Sequence, residues 1–124
     1  YNLEQAVYDH EPQVAASIDA PEALEAVKEG MVSVARQGTA RGTFASYPLD
    51  VAAKTGSPQT PQGINSVFIA YAPADDPEIA VAVVLEKGWE GYTGAPVAKE
   101  IFDAYFFSDS SKNAQPVDYG VLLS

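Results

Sequence analysis

The sequence predicts an α+β fold, in which an antiparallel sheet of about three strands packs with two helices. Two apolar stretches, Ser66 to Ala72 and Ile79 to Glu86, are separated by a turn cluster of proline and aspartate, which is typical of a hairpin. A shorter apolar stretch, Val51 to Ser57, precedes them. Apolar residues recur at helical spacing before and after these strands. A chain of 124 residues amounts to one domain or a piece of one.

The first predicted helix begins near Asp19, which is expected to be its N-cap. Glu22 is placed to reach back to the start of the helix, as in a capping box. Gly38, beyond the last apolar residue, is a suitable C-cap. Gly30 in the interior costs about 1 kcal/mol relative to alanine, so it indicates a close crossing with another backbone. The apolar stripe of this helix comprises Leu24, Val27, Met31 and Val34.

The second predicted helix has Pro96 in its first turn, where proline is well tolerated. We expect this helix to cover one face of the sheet. Both faces of the predicted hairpin are apolar, so one amphipathic helix cannot supply all the cover that the sheet needs. Trp89 and Tyr92, in the loop before the helix, are predicted to be packing residues rather than the rim of a ligand site. The aligned apolar positions of the helix are Val97, Ile101 and Tyr105, with Ala98 and Phe102 beside them.

The ends of the chain are predicted to be irregular. Residues 1–18 are expected to form a lead-in with one extended piece, Val14 to Ile18, and residues 19–107 to form the folded part. Residues 108–124 are expected to form a polar tail, in which Tyr119 to Leu123 docks as a short strand. Because residues 1–18 show no feature typical of the start of a protein, we expect the sequence to be a segment of a longer protein.

Composition and charge exclude several classes of function. Seventeen acidic residues against seven basic ones give a formal net charge of -10, which argues against a nucleic-acid partner because phosphate binding needs a basic surface. No cysteine is present, so neither a disulfide nor a cysteine-ligated metal site can form. We interpret Asp75 and Asp76 as turn residues and His10 as a loop residue, and expect neither metal nor cofactor. The longest apolar run, Ile79 to Leu85, is about a third of the ~20 residues that a membrane helix needs.

The stretch that carries chemistry is Lys54-Thr55-Gly56-Ser57, at the end of the first predicted strand. A Lys-Thr-Gly triplet is a weak signal by itself, but here it follows a helix and a glycine-containing turn and precedes a hairpin and a final helix. In this order the sequence resembles the C-terminal part of the transpeptidase domain of penicillin-binding proteins, most closely the class B type, from about Val14 to Phe107. The resemblance implies a fragment of the β-lactamase/transpeptidase-like fold.

The resemblance also implies a role for each residue of this stretch. Lys54 is the catalytic residue of the set, because it contributes positive charge and proton-transfer linkage to the active site. Thr55 and Ser57 offer hydroxyls to the substrate carboxylate, and the main-chain N–H of Ser57 matches the second donor of the oxyanion hole. Gly56 leaves room for the incoming acyl group. The structural alternative for Lys54 is an edge-strand lysine that discourages sheet-to-sheet aggregation.

Two further motifs of the family, Ser-x-x-Lys and Ser-x-Asn, do not precede Lys54. No lysine of the chain has a serine three residues before it, so the nucleophile is absent. The chain alone is therefore expected to be inactive and not to be acylated by penicillin. The run Ser111-Lys112-Asn113 matches the Ser-x-Asn pattern. It follows the last predicted helix, and we interpret the match as a coincidence.

The leading hypothesis is a fragment of a peptidoglycan D,D-transpeptidase, which cross-links stem peptides by serine acyl transfer on the extracytoplasmic face of the bacterial membrane. The resemblance implies that the full-length parent binds peptidoglycan stem peptides and β-lactams. A D,D-carboxypeptidase or β-lactam sensor fragment, and a non-catalytic interaction module of the same fold, stay open as alternatives. The expected partner is the remainder of its own domain, and the isolated chain is expected to self-associate because its sheet lacks cover.

Overall fold

The computed structural model of the protein describes residues 13–108. The prediction of an α+β fold with a three-stranded antiparallel sheet is confirmed. In chain order the elements are α1 (Pro21–Arg36), α2 (Arg41–Phe44), β1 (Ala52–Gly56), β2 (Gln59–Thr60), β3 (Gly63–Ile64), β4 (Ser66–Ala72), β5 (Ile79–Leu85), a 3₁₀ turn (Gly91–Gly94) and α3 (Ala95–Phe106).

Strand β4 lies at the centre of the sheet, between β1 and β5. Both pairings are antiparallel, and Lys54 lies opposite Ile69 while Thr55 lies opposite Phe68. The strand that carries Lys54, Thr55 and Gly56 is therefore an edge strand of the described sheet. Pro58 falls just beyond the end of β1, where its missing N–H costs the sheet no ladder hydrogen bond.

The sheet has one buried and one partly open face. Side chains alternate along a strand, so each face takes every second residue. The inner face carries Ala53, Thr55, Phe68, Ala70, Val81 and Val83. The outer face carries Ala52, Lys54, Gly56, Val67, Ile69, Tyr71, Ala80, Ala82 and Val84. Ile69 and Val84 on the outer face are 44% and 64% exposed, so the described chain leaves part of this face without cover.

Aromatic side chains fill the core beneath the inner face. Phe44, Phe68 and Phe102 are fully buried, and the ring of Phe44 stacks on that of Phe68 with centroids 6.2 Å apart. Burying a side chain of this size contributes about 1.5–3 kcal/mol. Two of the core aromatics, Phe44 and Tyr47, come from the segment between α1 and β1, which was predicted to be a glycine-containing turn. That segment instead contains the short helix α2.

Helix α3 covers the inner face as predicted, but with a different stripe. Its buried residues are Ala95, Ala98 and Phe102, of which the last two were predicted beside the main stripe. That main stripe of Val97, Ile101 and Tyr105 stays partly exposed. Both stripes are apolar, so periodicity alone could not choose between them. The narrow side of the helix, formed by two alanines, allows the backbone to approach the sheet while Phe102 enters the aromatic core.

Helix α1 departs from the prediction at both ends. It begins at Pro21 after Ala20, with no side-chain cap, so Asp19 is not its N-cap. Its C-cap is Gln37 rather than Gly38. A Cβ added at Gly30 would meet no atom within 4 Å outside the backbone of its own helix, so the predicted close crossing does not occur within residues 13–108.

Only the C-terminal half of α1 is packed. Ala35 is fully buried, while Leu24 and Val27 of the predicted stripe are 48% and 60% exposed. Helix α1 packs against the edge strand β1, and Met31 lines a cavity of about 270 Å³ beside Ile69 and Tyr71. The first turns of the helix therefore extend beyond the sheet.

Two polar clusters join the elements. The Arg36 guanidinium donates to Asp50 Oδ1 from Nη2 at 2.5 Å and from Nε at 3.0 Å, and also donates to two backbone carbonyls of the α2 segment. The Tyr47 hydroxyl donates to Asp103 Oδ1 at 2.9 Å, and Lys99 donates to Asp103 Oδ2. These contacts tie α1 to the start of β1 and the α2 segment to α3.

The hydrogen bond from Lys99 holds the pKa of Asp103 below its ordinary value, and the Tyr47 hydroxyl acts in the same direction. The same bond raises the pKa of Lys99. Burial, followed by the bond to Asp103, raises the pKa of Tyr47.

Val14 to Ile18, which we predicted to be an extended piece of an irregular lead-in, form no strand, and both end residues are exposed. The hairpin of β2 and β3 was not predicted. His10, the Ser111-Lys112-Asn113 run and the expected strand at Tyr119 to Leu123 lie outside the described residues. Within residues 13–108, no helix is long and apolar enough to cross a membrane.

Candidate active site

The candidate site is the C-terminal end of β1, where consecutive residues point to opposite faces of the sheet. Lys54 lies on the outer face with Ile69, and Thr55 lies on the inner face with Phe68. The strand therefore presents a cation on its open side and hydroxyl groups on the side of the core. The sequence motif places these groups next to each other in the chain, but the pleat of the strand separates them in space.

Lys54 is exposed, as expected for a lysine on an edge strand. Its Nζ donates to the carbonyl oxygen of Thr55 at 2.5 Å. Among residues 13–108 it forms no ion pair, whereas Lys28, Arg36 and Lys99 each pair with a carboxylate. The ammonium group is thus available to a group that approaches the outer face.

Thr55 connects the strand to the end of α1. Its Oγ1 lies 3.1 Å from the Oγ1 of Thr39, so the two hydroxyls hydrogen-bond to each other. Thr39 was not singled out from the sequence, because it lies in the turn between α1 and α2, sixteen positions away. This contact orients the hydroxyl of Thr55, and either of the two oxygens can be the donor.

Ser57 connects the strand to the 3₁₀ turn before α3. Its Oγ accepts a hydrogen bond of 2.8 Å from the main-chain N–H of Gly91. The carbonyl oxygen of Gly91 in turn accepts a hydrogen bond of 3.0 Å from the fully buried Oγ of Ser66 at the start of β4. Neither partner could be identified from the sequence, since the three residues meet only when the turn folds over the inner face.

Gly91 is packed directly against Gly56. A Cβ at position 91 would lie 2.7 Å from both N and O of Gly56 and 2.9 Å from the Thr55 Cβ, which no side chain tolerates without a shift of the strand. By contrast, a Cβ at Gly56 would make only ordinary contacts with Val67 within the described chain, the closest at 3.6 Å. The requirement for glycine imposed by the described packing therefore falls on residue 91.

A small groove lies beyond the end of the site. The β2–β3 hairpin, which follows Ser57, and the loop after β5 enclose a cavity of about 350 Å³ lined by Gln62, Gly63, Ile64, Lys87 and Trp89. Trp89 is 80% exposed and Tyr92 is 50% exposed, so the prediction that both are packing residues is wrong. Lys87 and Trp89 have φ of 55° and 70°, in the left-handed region that is unusual for side chains of their size.

The described residues contain no group of histidine, cysteine or carboxylate side chains that could hold a metal ion. The chemistry that β1 offers is therefore a positive charge, two hydroxyls and the main-chain N–H groups at the end of an edge strand. These groups suit an anionic, extended ligand. Among residues 13–108 no serine stands three residues before a lysine.

Comparison with known proteins gives a consistent result. Residues 3–106 match the family described as the penicillin binding protein transpeptidase domain. The peptidoglycan D,D-transpeptidase MrdA of Acinetobacter baumannii is 32% identical over 112 residues, which cover 77% of this chain and 16% of that protein.

Two solved structures extend the comparison. Pseudomonas aeruginosa PBP2, in complex with WCK 5153, matches with a TM-score of 0.69 and 32% identity over 89% of this chain and 26% of that one. Penicillin-binding protein A of M. tuberculosis, as its penicillin G acyl-enzyme complex, matches with a TM-score of 0.55 and 26% identity over 69% of this chain and 21% of that one. The chain thus spans about a quarter or less of the length of these proteins.

Proposed function

The chain belongs to the penicillin-binding protein transpeptidase family, class B type, and we propose that it supplies the Lys-Thr-Gly strand to the active site of a peptidoglycan D,D-transpeptidase. The proposed site residues are Lys54 as the catalytic residue and Thr55, Gly56 and Ser57 as substrate-binding residues. The observation that carries the proposal is that Lys54 is exposed and without an ion pair among the described residues, on the edge strand of the sheet.

The proposed reaction is acyl transfer through a serine that the remainder of the domain provides. The serine oxygen bonds to the acyl carbon of a stem peptide, a lysine takes the serine proton, and the leaving amine takes a proton as the peptide bond breaks. An amino group of a second stem peptide then takes the acyl group and restores the serine. Lys54 adds positive charge to this proton network, and the N–H of Ser57 donates to the oxyanion.

The proposed substrate lies along β1 as an added strand. An edge strand has unpaired N–H and C=O groups that an extended peptide can pair with, and alternate side chains can then be recognised separately. The hydroxyls of Thr55 and Ser57 would receive the substrate carboxylate. A β-lactam carries an acyl group and a carboxylate as well, so the same residues would hold it.

The proposed location is the extracytoplasmic face of the bacterial membrane, because that is where peptidoglycan is cross-linked. The remainder of the domain is proposed to cover the outer face of the sheet, where Ile69 and Val84 are exposed. In this arrangement residues 1–124 are a portion of one transpeptidase domain rather than a domain by themselves. Without that cover, the chain is proposed to self-associate and to be inactive.

The test is Lys54→Ala in the full-length parent. We expect acylation by a fluorescent penicillin to fall by a few orders of magnitude with the melting temperature unchanged, because the side chain is exposed. Lys28→Ala, which removes a paired lysine from α1, is the matched control and should be acylated normally. The isolated 124-residue chain should not be labelled.

Two results would contradict the proposal. Normal acylation of the Lys54→Ala parent would mean that the lysine only protects the sheet edge. A parallel loss of melting temperature and acylation would mean that it is a structural residue. Assay of the reaction products with a pair of stem peptides separates transpeptidation from carboxypeptidation, since only the former yields a cross-linked dimer.

A further inference from the structure

We infer that Ser66 is a positioning residue for the proposed acyl transfer and that it acts through Gly91 on the hydroxyl of Ser57. This inference rests on the proposed function, because it assigns Ser57 to the substrate carboxylate. It adds a residue from the start of the neighbouring strand β4, outside the Lys-Thr-Gly motif, and gives a physical reason for the position of the 3₁₀ turn.

Gly91 is held from both sides by serines of different strands. Its N–H donates to Ser57 Oγ at 2.8 Å, and its C=O accepts from Ser66 Oγ at 3.0 Å. Ser66 is fully buried and its hydroxyl has this one partner within the described chain, so rotation away from Gly91 would leave a buried polar group unpaired. The bond therefore fixes Gly91 more firmly than an exposed hydrogen bond would.

The packing of Gly91 transmits that position to the motif. Because a Cβ at residue 91 would lie 2.7 Å from Gly56 N and O, the turn is in contact with the backbone of the substrate-binding strand. Any displacement of the turn therefore changes its contact with Gly56 and its hydrogen bond to Ser57. A change at Ser66 can therefore displace Gly91 and, with it, the end of β1.

The hydrogen bond from Gly91 also determines what Ser57 can offer to a ligand. A serine hydroxyl has one donor hydrogen and two acceptor positions. With an N–H directed at its oxygen, Ser57 is oriented with its own O–H away from Gly91. A donor presented in this way suits a carboxylate, and the O–H stays directed away from Gly91 as long as the bond from the Gly91 N–H is kept.

The experiment is a double-mutant cycle between Ser57 and Ser66 in the full-length parent, read as the second-order rate of acylation by penicillin G. We expect Ser57→Ala to reduce the rate about 10- to 100-fold, as for loss of a hydrogen bond to a charged group. Ser66→Ala should reduce it about tenfold, because a shift on the order of 1 Å in a ligand-holding group is costly. The double variant should be no slower than Ser57→Ala alone.

Conservative variants and a control complete the cycle. Ser57→Thr keeps the hydroxyl, so Ser66→Ala should again cost about tenfold on that background. Ser66→Cys keeps the shape of the side chain with a slightly larger atom and a weaker donor, so its acylation rate should lie between those of serine and alanine at this position. It replaces Ser66→Ala in the cycle if that variant does not fold. Ser33→Ala, an exposed serine on α1, should acylate at the parental rate.

The outcomes separate this inference from the proposed function. If Lys54→Ala and Ser57→Ala both acylate normally, the proposed function fails. If Ser57→Ala is slow but Ser66→Ala and Ser66→Cys are not, only the positioning role fails. If the effects of Ser57→Ala and Ser66→Ala multiply in the double variant, Ser66 contributes to stability alone and the inference is overturned.

Discussion

At the scale of single residues, one carboxylate holds the α2 segment and α3 together. Asp103 accepts hydrogen bonds from Tyr47 and Lys99, and the Lys99 ammonium lies 5.7 Å from the centre of the Tyr47 ring. The ionised form of Asp103 is the form that all of these contacts favour. Protonation of this one side chain therefore weakens the link between two elements that enclose the aromatic core.

This link predicts a dependence of stability on acid. The pKa of Asp103 is lowered in the folded chain, so its contribution is present above the pKa of an unfolded aspartate, about 3.9, and is lost as the pH falls through the folded value. We expect the melting temperature of the chain to fall more steeply below about pH 4 than that of Asp103→Asn. Asp76→Asn, an exposed turn residue, is the control, and identical acid profiles for the chain and Asp103→Asn would contradict the prediction.

At the scale of elements, the position of β1 depends on Arg36. The guanidinium lies at the end of α1 and reaches Asp50, two residues before β1, together with the carbonyls of Ala45 and Tyr47. A planar guanidinium donates to these three acceptors from separate nitrogens, whereas the three donors of an ammonium diverge from a single nitrogen and do not reproduce this geometry. The helix, the α2 segment and the strand are thus oriented by one side chain.

We expect Arg36→Lys to recover only part of the stability that Arg36→Ala loses. Removing charge-assisted hydrogen bonds that are partly exposed should cost about 1–2 kcal/mol in the free energy of unfolding. Urea unfolding of the chain measures this, with Arg41→Ala as the control because Arg41 is exposed. Full stability of Arg36→Lys would show that the charge alone is sufficient and that the fork geometry is unimportant.

Some of these elements could be predicted from the sequence and others could not. Strands β4 and β5 were predicted nearly residue by residue, because their apolar stretches are bounded by turn residues. The main buried side of α3 and the packed half of α1 were not predicted correctly, because both depend on which element the helix packs against. Among the site residues, the motif itself could be found from its spacing, whereas Thr39, Ser66 and Gly91 could not, because their contacts span between 16 and 34 positions of the chain.

At the scale of the whole molecule, the open outer face is the main consequence of the architecture. The exposed apolar residues of this face and of the free half of α1 are Leu24, Val27, Ile69 and Val84. At about 25 cal/mol per Å², a few hundred Å² of such surface corresponds to several kcal/mol. The net charge of -10 opposes association between copies, but the repulsion is screened by salt.

We therefore expect the isolated chain to form a dimer or a higher oligomer that salt strengthens. Sedimentation at micromolar concentration, in low and moderate salt, measures this. Val84→Lys should weaken association because it places a charge on the outer face, whereas Val97→Lys, an exposed position on α3, should not. A monomer at all salt concentrations would mean that the open face is too small to drive association.

The opposite orientation of Lys54 and Thr55 has a consequence for how such a site can evolve. Lys54 faces the outer side, while Thr55 and Ser57 are contacted by Thr39 and Gly91 from other segments of the chain. Substitutions in those segments can thus accumulate and adjust the proposed recognition of a ligand carboxylate while the lysine keeps its surroundings. Selection for a new ligand can then act on the segments that contact Thr55 and Ser57, while selection for the retained chemistry acts on Lys54. These two selections affect different parts of the sequence, although Lys54 and Thr55 are neighbours in the chain.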